Sequence, residues 1–343
     1  MQANEKTRPS DTREVILETR DLCKYFTKRS GGKDKPVKAV DKANLKVFRG
    51  ETLAVVGESG CGKSTLGRTV LHLLEPTSGE VIFNGKPIER LDNAHNKQLR
   101  KEMQIVFQDP YASLNPRMKV FDIIAEPIRF HGIASGRANV EAAVNKILTQ
   151  CGLPTYIAER YPHEFSGGQR QRISIARALS VEPSFVVLDE PVSALDVSIQ
   201  SQIINLLCDL QQKKNLSYMF ISHDLSVVYN IATRVVVMYL GSIVELSDKE
   251  ELYSEPLHPY TRALLSAIPK DNPSETKERI ILSGEIPSPS NPPSGCKFRS
   301  RCRYATEACA QKEPALREVR PNHFVACDRY EEICCPAEGA AAR

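Results

Sequence analysis

Apolar and polar side chains alternate along Glu14 to Leu22 and again along Ala39 to Val47. That period of two predicts a pair of half-buried antiparallel strands, joined by a Gly- and Lys-rich connection. Tyr25 and Phe26 close the first of them. An unbroken apolar run, Thr52 to Val56, predicts a strand buried on both faces, and Ser64 to Leu74 after it has helix-forming character. The stretch GEVIFNGKPI reads as a further strand with a turn at Asn84 and Gly85. Strand signals return at Met103 to Val106, Phe185 to Glu190 and Tyr218 to Ser222. Between the first two the period changes. From Val120 to Leu153, Val140, Val144, Ile147 and Leu148 recur at helical spacing, and Gly132 to Gly136 split the run into separate helices. Short buried strands interleaved with helices predict an α/β chain. After Gly241 the pattern predicts that the chain leaves this core, and a Pro- and Ser-rich linker follows from Gly284 to Gly295.

Composition narrows the setting. A chain of 343 residues suggests about two domains. Its net charge of +4 is too mild to make nucleic acid the main ligand, and in the basic run Lys297, Arg299, Arg301, Arg303 aromatic interleaving is sparse. The N-terminal MQANEKTRPSDTR is polar, and no apolar run approaches the ~18 to 20 residues that span a bilayer. The expected compartment is therefore the cytoplasm, where ten cysteines suggest thiolate chemistry or metal ligation rather than disulfides. Cys23, Cys61, Cys151 and Cys208 are scattered, and the other six cysteines lie in the tail.

The candidate chemistry sits at the strand ends. Gly57, Glu58, Ser59, Gly60, Cys61, Gly62, Lys63, Ser64 and Thr65 follow the buried strand and fit G-x-x-x-x-G-K-[ST]. Glycines let backbone N–H groups turn inward on an anion, and the N-terminus of the next helix adds partial positive charge. Lys63 then suits the β- and γ-phosphates of a nucleotide, and the Ser64 hydroxyl suits Mg²⁺. Gln108, at the end of another strand, can bridge Mg²⁺ or an attacking water. Ser166, Gly167, Gly168 and Gln169 precede a helix and form a second anion-facing N-terminus. The run FVVLDE ends in paired carboxylates: Asp189 suits the Mg²⁺ shell, and Glu190 suits polarisation of the water. Ser193 to Asp196 form a turn and a helix start, and His223 ends the next strand as a candidate γ-phosphate sensor.

In this order, residues 14 to 270 resemble the ATP-binding subunit of an ABC transporter. The resemblance implies an α/β P-loop NTPase core with an antiparallel β subdomain, a helical signature subdomain and a small Cys-rich C-terminal extension. Its expected divisions are 14–246, with the helical subdomain about 109–178, and 247–343. It makes Gly57 to Thr65 the Walker A loop, Phe26 the adenine-stacking aromatic with Tyr25 as the alternative, and Gln108 the Q-loop glutamine. It makes Ser166 to Gln169 the signature motif, with Phe165 in place of the more usual leucine. Asp189 becomes the Walker B aspartate, Glu190 the catalytic base, Ser193 to Asp196 the D-loop and His223 the switch histidine. It further implies two ATPase subunits, identical or related, closing head to tail on ATP and Mg²⁺ and driving two separate membrane permease subunits from the cytoplasmic face.

The tail narrows the resemblance. His258, Pro259, Tyr260 and Thr261, with the GCKFRSRC segment, resemble the C-terminal extension of dipeptide and oligopeptide importer ATPases. An extracytoplasmic peptide-binding protein then joins through the complex. Cys296, Cys302, Cys309 and Cys327 lack the paired C-x₂-C knuckles of zinc ribbons. Four thiolates can hold a [4Fe–4S] cluster, the group associated with these cysteines in that subfamily, and the basic run between them can offset its charge. Cys334 and Cys335 fall outside the spacing and read as unligated thiols. The same tail also suits importers of nickel or glycosides. A soluble ABC ATPase of DNA repair or translation is a further alternative, but the long coiled coil, zinc insert or second cassette of those types is missing from the sequence.

Overall fold

The computed structural model describes residues 13–27, 36–88, 92–268 and 279–334. β1 (Val15–Phe26) and β2 (Val37–Phe48) pair antiparallel, with Glu18 opposite Lys46. β3 (Thr52–Val56) leaves for a second sheet, while β4 (Ser78–Phe83) and β5 (Lys86–Pro87) complete the first in the order β2-β1-β4-β5. The second sheet gathers β6 (Met103–Val106), β7 (Phe185–Asp189), β8 (Ser217–Ile221), β9 (Arg234–Tyr239), β10 (Ser242–Asp248), β11 (Arg317–Arg320) and β12 (His323–Val325). Its order is β11-β12-β10-β9-β3-β8-β7-β6, parallel from β9 through β6 and antiparallel from β9 to β11.

The unbroken apolar runs occupy the middle of this sheet because both of its faces are covered. Alternate side chains divide between the two faces. Ala54, Val56, Val186 and Leu188 pack on the side of the helical insert, whereas Leu53, Val55, Phe185 and Val187 pack toward the β1–β2 sheet. The insert's main helices are Val120–Phe130, Arg137–Gln150 and Gly167–Leu179, and Val140, Val144, Ile147 and Leu148 are buried as their spacing predicts.

The expectation that the chain leaves the core after Gly241 is overturned. β10 pairs with β9, its Ile243, Val244 and Leu246 are buried, and β12 then pairs with β10, so the tail's own hairpin extends the central sheet. Glu245 interrupts the apolar run and hides the strand signal. It is fully buried because His323 Nε2 lies 2.7 Å from its carboxylate and the Leu257 and His258 N–H groups donate to it. The expected division between residues 246 and 247 falls within β10.

A candidate nucleotide-binding and hydrolysis site

The loop between β3 and the helix Lys63–Val70 depends on two glycines with different burdens. At Gly57 φ is +150°, and a Cβ would lie 2.3 Å from the Met238 carbonyl oxygen. At Gly62 φ is +110°, and a Cβ would lie 1.9 Å from the Ala39 carbonyl oxygen. Both positions need the left-handed region and backbone-to-backbone approach, which only glycine combines. No side chain caps the helix that starts at Lys63, so its first N–H groups face the loop without a side-chain acceptor. Lys63 Nζ, itself buried, donates to Gly57 O at 2.8 Å and Glu58 O at 3.1 Å, drawing the loop around its ammonium.

At the second residue of that helix, the Ser64 hydroxyl donates to Asp189 Oδ1 at 2.7 Å, and Arg68 Nη2 lies 3.3 Å from Oδ2. A hydroxyl and a fully buried carboxylate at the end of β7 thus share one spot. They are hard oxygen donors of the kind Mg²⁺ takes. Glu190, the next residue, has φ of +46°, unusual for a side chain of its size. Its carboxylate Oε2 accepts from Gln108 Nε2 at 2.9 Å and lies 3.3 Å from His223 Nδ1. The Ser193 hydroxyl donates to Glu190 O at 3.1 Å, tying the turn after β7 to the same residue. Three separate chain segments, the helix Lys63–Val70, Gln108 after β6 and His223 after β8, therefore converge on two adjacent acids.

Lys63, Ser64, Gln108, Glu190 and His223 line a cleft of about 520 Å³, together with Ser59, Gly60, Gly62 and Thr65 and with Val37, Lys38 and Ala39 of β2, and Asp189 lies beneath it on the Ser64 hydroxyl. Gly57, Glu58 and Cys61 stand behind the cleft as supports for the loop. Phe26 is exposed, with Lys24 Nζ 5.3 Å from its ring centre, and does not line the cleft; Tyr25 instead donates its hydroxyl to Asp41 at 2.6 Å. Ser166, Gly167, Gly168 and Gln169 also lie off this cleft. Ser166 and Gln169 cap their helix reciprocally, Gln169 N donating to Ser166 Oγ and Ser166 N to Gln169 Oε1, while Gly168 packs so close to Ile199 that a Cβ would stand 2.5 Å from it. A larger cleft of about 990 Å³ lies among the insert helices, lined by residues such as Lys119, Arg129 and Tyr156, and holds none of the motif residues.

Cys296, Cys302, Cys309 and Cys327 form no disulfide, and burial pushes Cys296 up to about 11 and Cys327 up to about 12. Each of these two feels the charge of Cys302 and Cys309 as well. Gly295, at φ +66°, lets Cys296 N donate to Cys309 O at 2.8 Å, so the two segments meet. Among the described residues no group of three or more His, Cys, Asp or Glu is placed to hold a metal ion. The basic run divides: Arg303 adds its charge to Cys302 as expected, whereas two of its members face elsewhere. Lys297 and Arg301 turn inward onto Asp41 and Glu58, because those buried or half-buried carboxylates require partners more than a surface does. Cys334 lies close to the Pro256 and Leu257 carbonyls, and Cys335 lies outside the described residues.

Residues 40–193 match the family described as ABC transporter, and residues 244–309 match the oligopeptide/dipeptide transporter, C-terminal region. The oligopeptide transport ATP-binding protein AppF of Bacillus subtilis is 54% identical, over 92% of this chain and 98% of its own length. The chain belongs to the ABC transporter ATP-binding proteins, in their oligopeptide/dipeptide branch. OppF of Haemophilus influenzae, also an oligopeptide transport ATP-binding protein, is 47% identical over 93% of this chain and 98% of that one. Among solved structures, cbiO1 from Clostridium perfringens, part of the ABC transporter complex cbiONQ, superposes with a TM-score of 0.62 at 28% identity, over 71% of this chain and 92% of that one. A dimeric post-hydrolysis state of the ATP-binding cassette MJ0796, bound to ADP and Pi, reaches 0.61 at 25% identity, over 68% of this chain and 99% of that one. As an ABC ATPase this chain is an ATP hydrolase coupled to transport.

Sequence reasoning missed Arg68, Val37 to Ala39 and the tail residues that reach the loop. Only Arg68 had a local signal, a basic residue one turn after the Ser64 hydroxyl on the same helix.

Proposed function

We propose that this chain powers the uptake of di- or oligopeptides, hydrolysing ATP in the cleft that the Gly57 to Thr65 loop faces, with Glu190 as the general base. The observation that carries the reading is the convergence of Gln108 and His223 on the Glu190 carboxylate beside the Ser64–Asp189 pair. In this mechanism the loop N–H groups and Lys63 hold the β- and γ-phosphates, and Ser64, Asp189 and Gln108 would hold Mg²⁺, which would supply positive charge to offset the phosphate oxygens. Glu190 takes the proton of the attacking water, His223 keeps the carboxylate oriented toward the γ-phosphate, and Gln108 reports occupancy to the helical insert. Glu190→Gln should retain ATP affinity and lose about 10² to 10⁴ in turnover. Wild-type turnover by that variant would remove Glu190 as the base.

Ser166 to Gln169 take up the role of a partner's signature motif, since they cap an exposed helix start away from their own cleft. Two copies, or this chain and a related ATPase, then close head to tail with ATP between one Walker A loop and the other's signature helix, and loss of the γ-phosphate lets them part. Phe26 stacks on the adenine in that closed form. No helix among the described residues is long and apolar enough to cross a membrane. In this reading the chain works at the cytoplasmic face on separate permease subunits, with an extracytoplasmic peptide-binding protein delivering the solute. The relatives named for oligopeptide transport favour peptide over nickel or glycoside as that solute.

Cys296, Cys302, Cys309 and Cys327 would hold a [4Fe–4S] cluster that staples the tail. What supports the reading is the donor set, four cysteines outside any disulfide whose charges act on one another.

A further inference from the structure

We infer that the C-terminal segment braces the phosphate loop, with Arg301 and Tyr260 as positioning residues for ATP binding; this rests on the reading of Gly57 to Thr65 as the nucleotide loop. Glu58 is held by the tail at both its ends. Its carboxylate accepts both prongs of the Arg301 fork, Nη1 to Oε2 at 2.7 Å and Nη2 to Oε1 at 3.1 Å. Its backbone N–H donates to the Tyr260 hydroxyl at 2.9 Å. The carbonyl of the same residue accepts from Lys63 Nζ at 3.1 Å, so the residue gripped by the tail is one of the two that set the lysine's position. Glu58 does not line the cleft, and it acts through the loop rather than on the nucleotide.

The brace is itself rigid. Arg301 is 8% exposed and Tyr260 fully buried, and a bidentate guanidinium–carboxylate pair fixes orientation as well as distance. The Tyr260 ring packs against Tyr239 and Phe298, with centroids 4.8 and 5.4 Å away, and Tyr239 follows the Met238 whose carbonyl closes on Gly57. A second hold lies on the other side of the cleft. Lys297 Nζ donates to Asp41 Oδ2 at 2.8 Å and to Ser242 Oγ at 2.5 Å, and the Asp41 N–H donates to Gly241 O at 2.8 Å. Ala39 and Gly241 line the cleft, so the tail grips the base of the loop and the β2 wall together. Lys297 and Arg301 lie between Cys296 and Cys302, and a test through the cysteines would disturb both the brace and any cluster. The arginine and tyrosine separate the two.

The test uses the full chain with its cysteines intact. ATP affinity is measured with a fluorescent ATP analogue, KM and kcat by phosphate release, and the melting temperature alongside. Arg301→Met should weaken ATP binding and raise KM about tenfold, with kcat at saturating ATP within about twofold of wild type. Arg301→Lys should recover part of the affinity, because it restores the charge without the fork. In a cycle with Glu58→Gln, the double variant should be no weaker than the worse single one, as expected of two residues acting as a unit. Arg299→Met, whose guanidinium bonds Ser294 in the same segment, should leave affinity unchanged. Wild-type affinity and KM in Arg301→Met, or additive effects in the cycle, would overturn the inference. Should Arg301→Met fail to fold, Tyr260→Phe decides: an affinity drop of about threefold supports the brace, and unchanged affinity overturns it. Lys63→Ala separates the two levels, since retained ATP binding in that variant would defeat the nucleotide-loop reading itself, whatever Arg301 does.

Discussion

Gly62 and Lys63 are neighbours with opposite tolerances. A methyl group at Gly62 would meet a backbone carbonyl 1.9 Å away at a positive φ, and backbone cannot step aside as a flexible side chain can. Gly62→Ala should therefore lower the melting temperature and abolish nucleotide affinity together, whereas Gly60→Ala, where a Cβ would meet nothing within 4 Å, should cost only the φ strain of about 1 kcal/mol. Differential scanning fluorimetry with and without ATP reads both. The motif marks Gly62 and Lys63 in the sequence and leaves Gly60 at an unspecified position. It could not say which glycine is crowded, because the crowding atoms belong to β2 and β9, some twenty and two hundred residues away. The same limit applies to Glu190. Its place after a buried strand makes it the candidate base, but its positive φ and its two side-chain neighbours come from the meeting of β6, β7 and β8.

At the scale of elements, the hairpin β11–β12 docks on β10 through a buried His323–Glu245 pair, and the helix Pro259–Ser266 starts on the His258 side chain, which accepts from Tyr260 N. The two histidines respond to pH in opposite senses. Burial, opposed by the charge of Glu245, lowers His258 from 6.5 to about 4, so the folded tail keeps it neutral while the unfolded chain takes up a proton. Stability is thus lost as pH falls from about 6.5 toward 4, by on the order of 3 kcal/mol at the lower end. Burial would also lower His323, but the hydrogen bond and charge of Glu245, joined by Glu251, outweigh it and raise its pKa. That contribution is complete below 6.5 and lost as pH rises through the raised value. Amide exchange in β12 should show greatest protection on the acid side of neutrality and opening at either flank. His323→Ala, which leaves Glu245 buried without its cation, should cost about 3 to 5 kcal/mol and remove the acid-side maximum; an unchanged exchange profile would show that the pair does not hold the hairpin.

For the molecule as a whole, the tail is neither a separate lobe nor an ornament: Phe298 belongs to the same apolar cluster as the insert helices and the strand β3. Its four thiols should give anaerobically purified protein a brown colour and iron content, and colourless protein with stoichiometric zinc would refute the cluster. The parts of this protein that follow from local chemistry were all readable in order along the chain: strand, loop and helix around Lys63, the acids ending β7, the helical periodicity of the insert. Each rests on neighbours a few residues apart, where spacing alone sets which groups share a face or a turn. Only the tertiary structure decided that β10 and the tail complete the central sheet, that Phe26 and the Ser166 motif stand away from the cleft their own chain forms, and that Arg301 lands on Glu58. Those outcomes depend on which buried carboxylate claims which distant cation, a competition between desolvation and pairing that is resolved when the sheet closes and leaves no period or motif in the sequence.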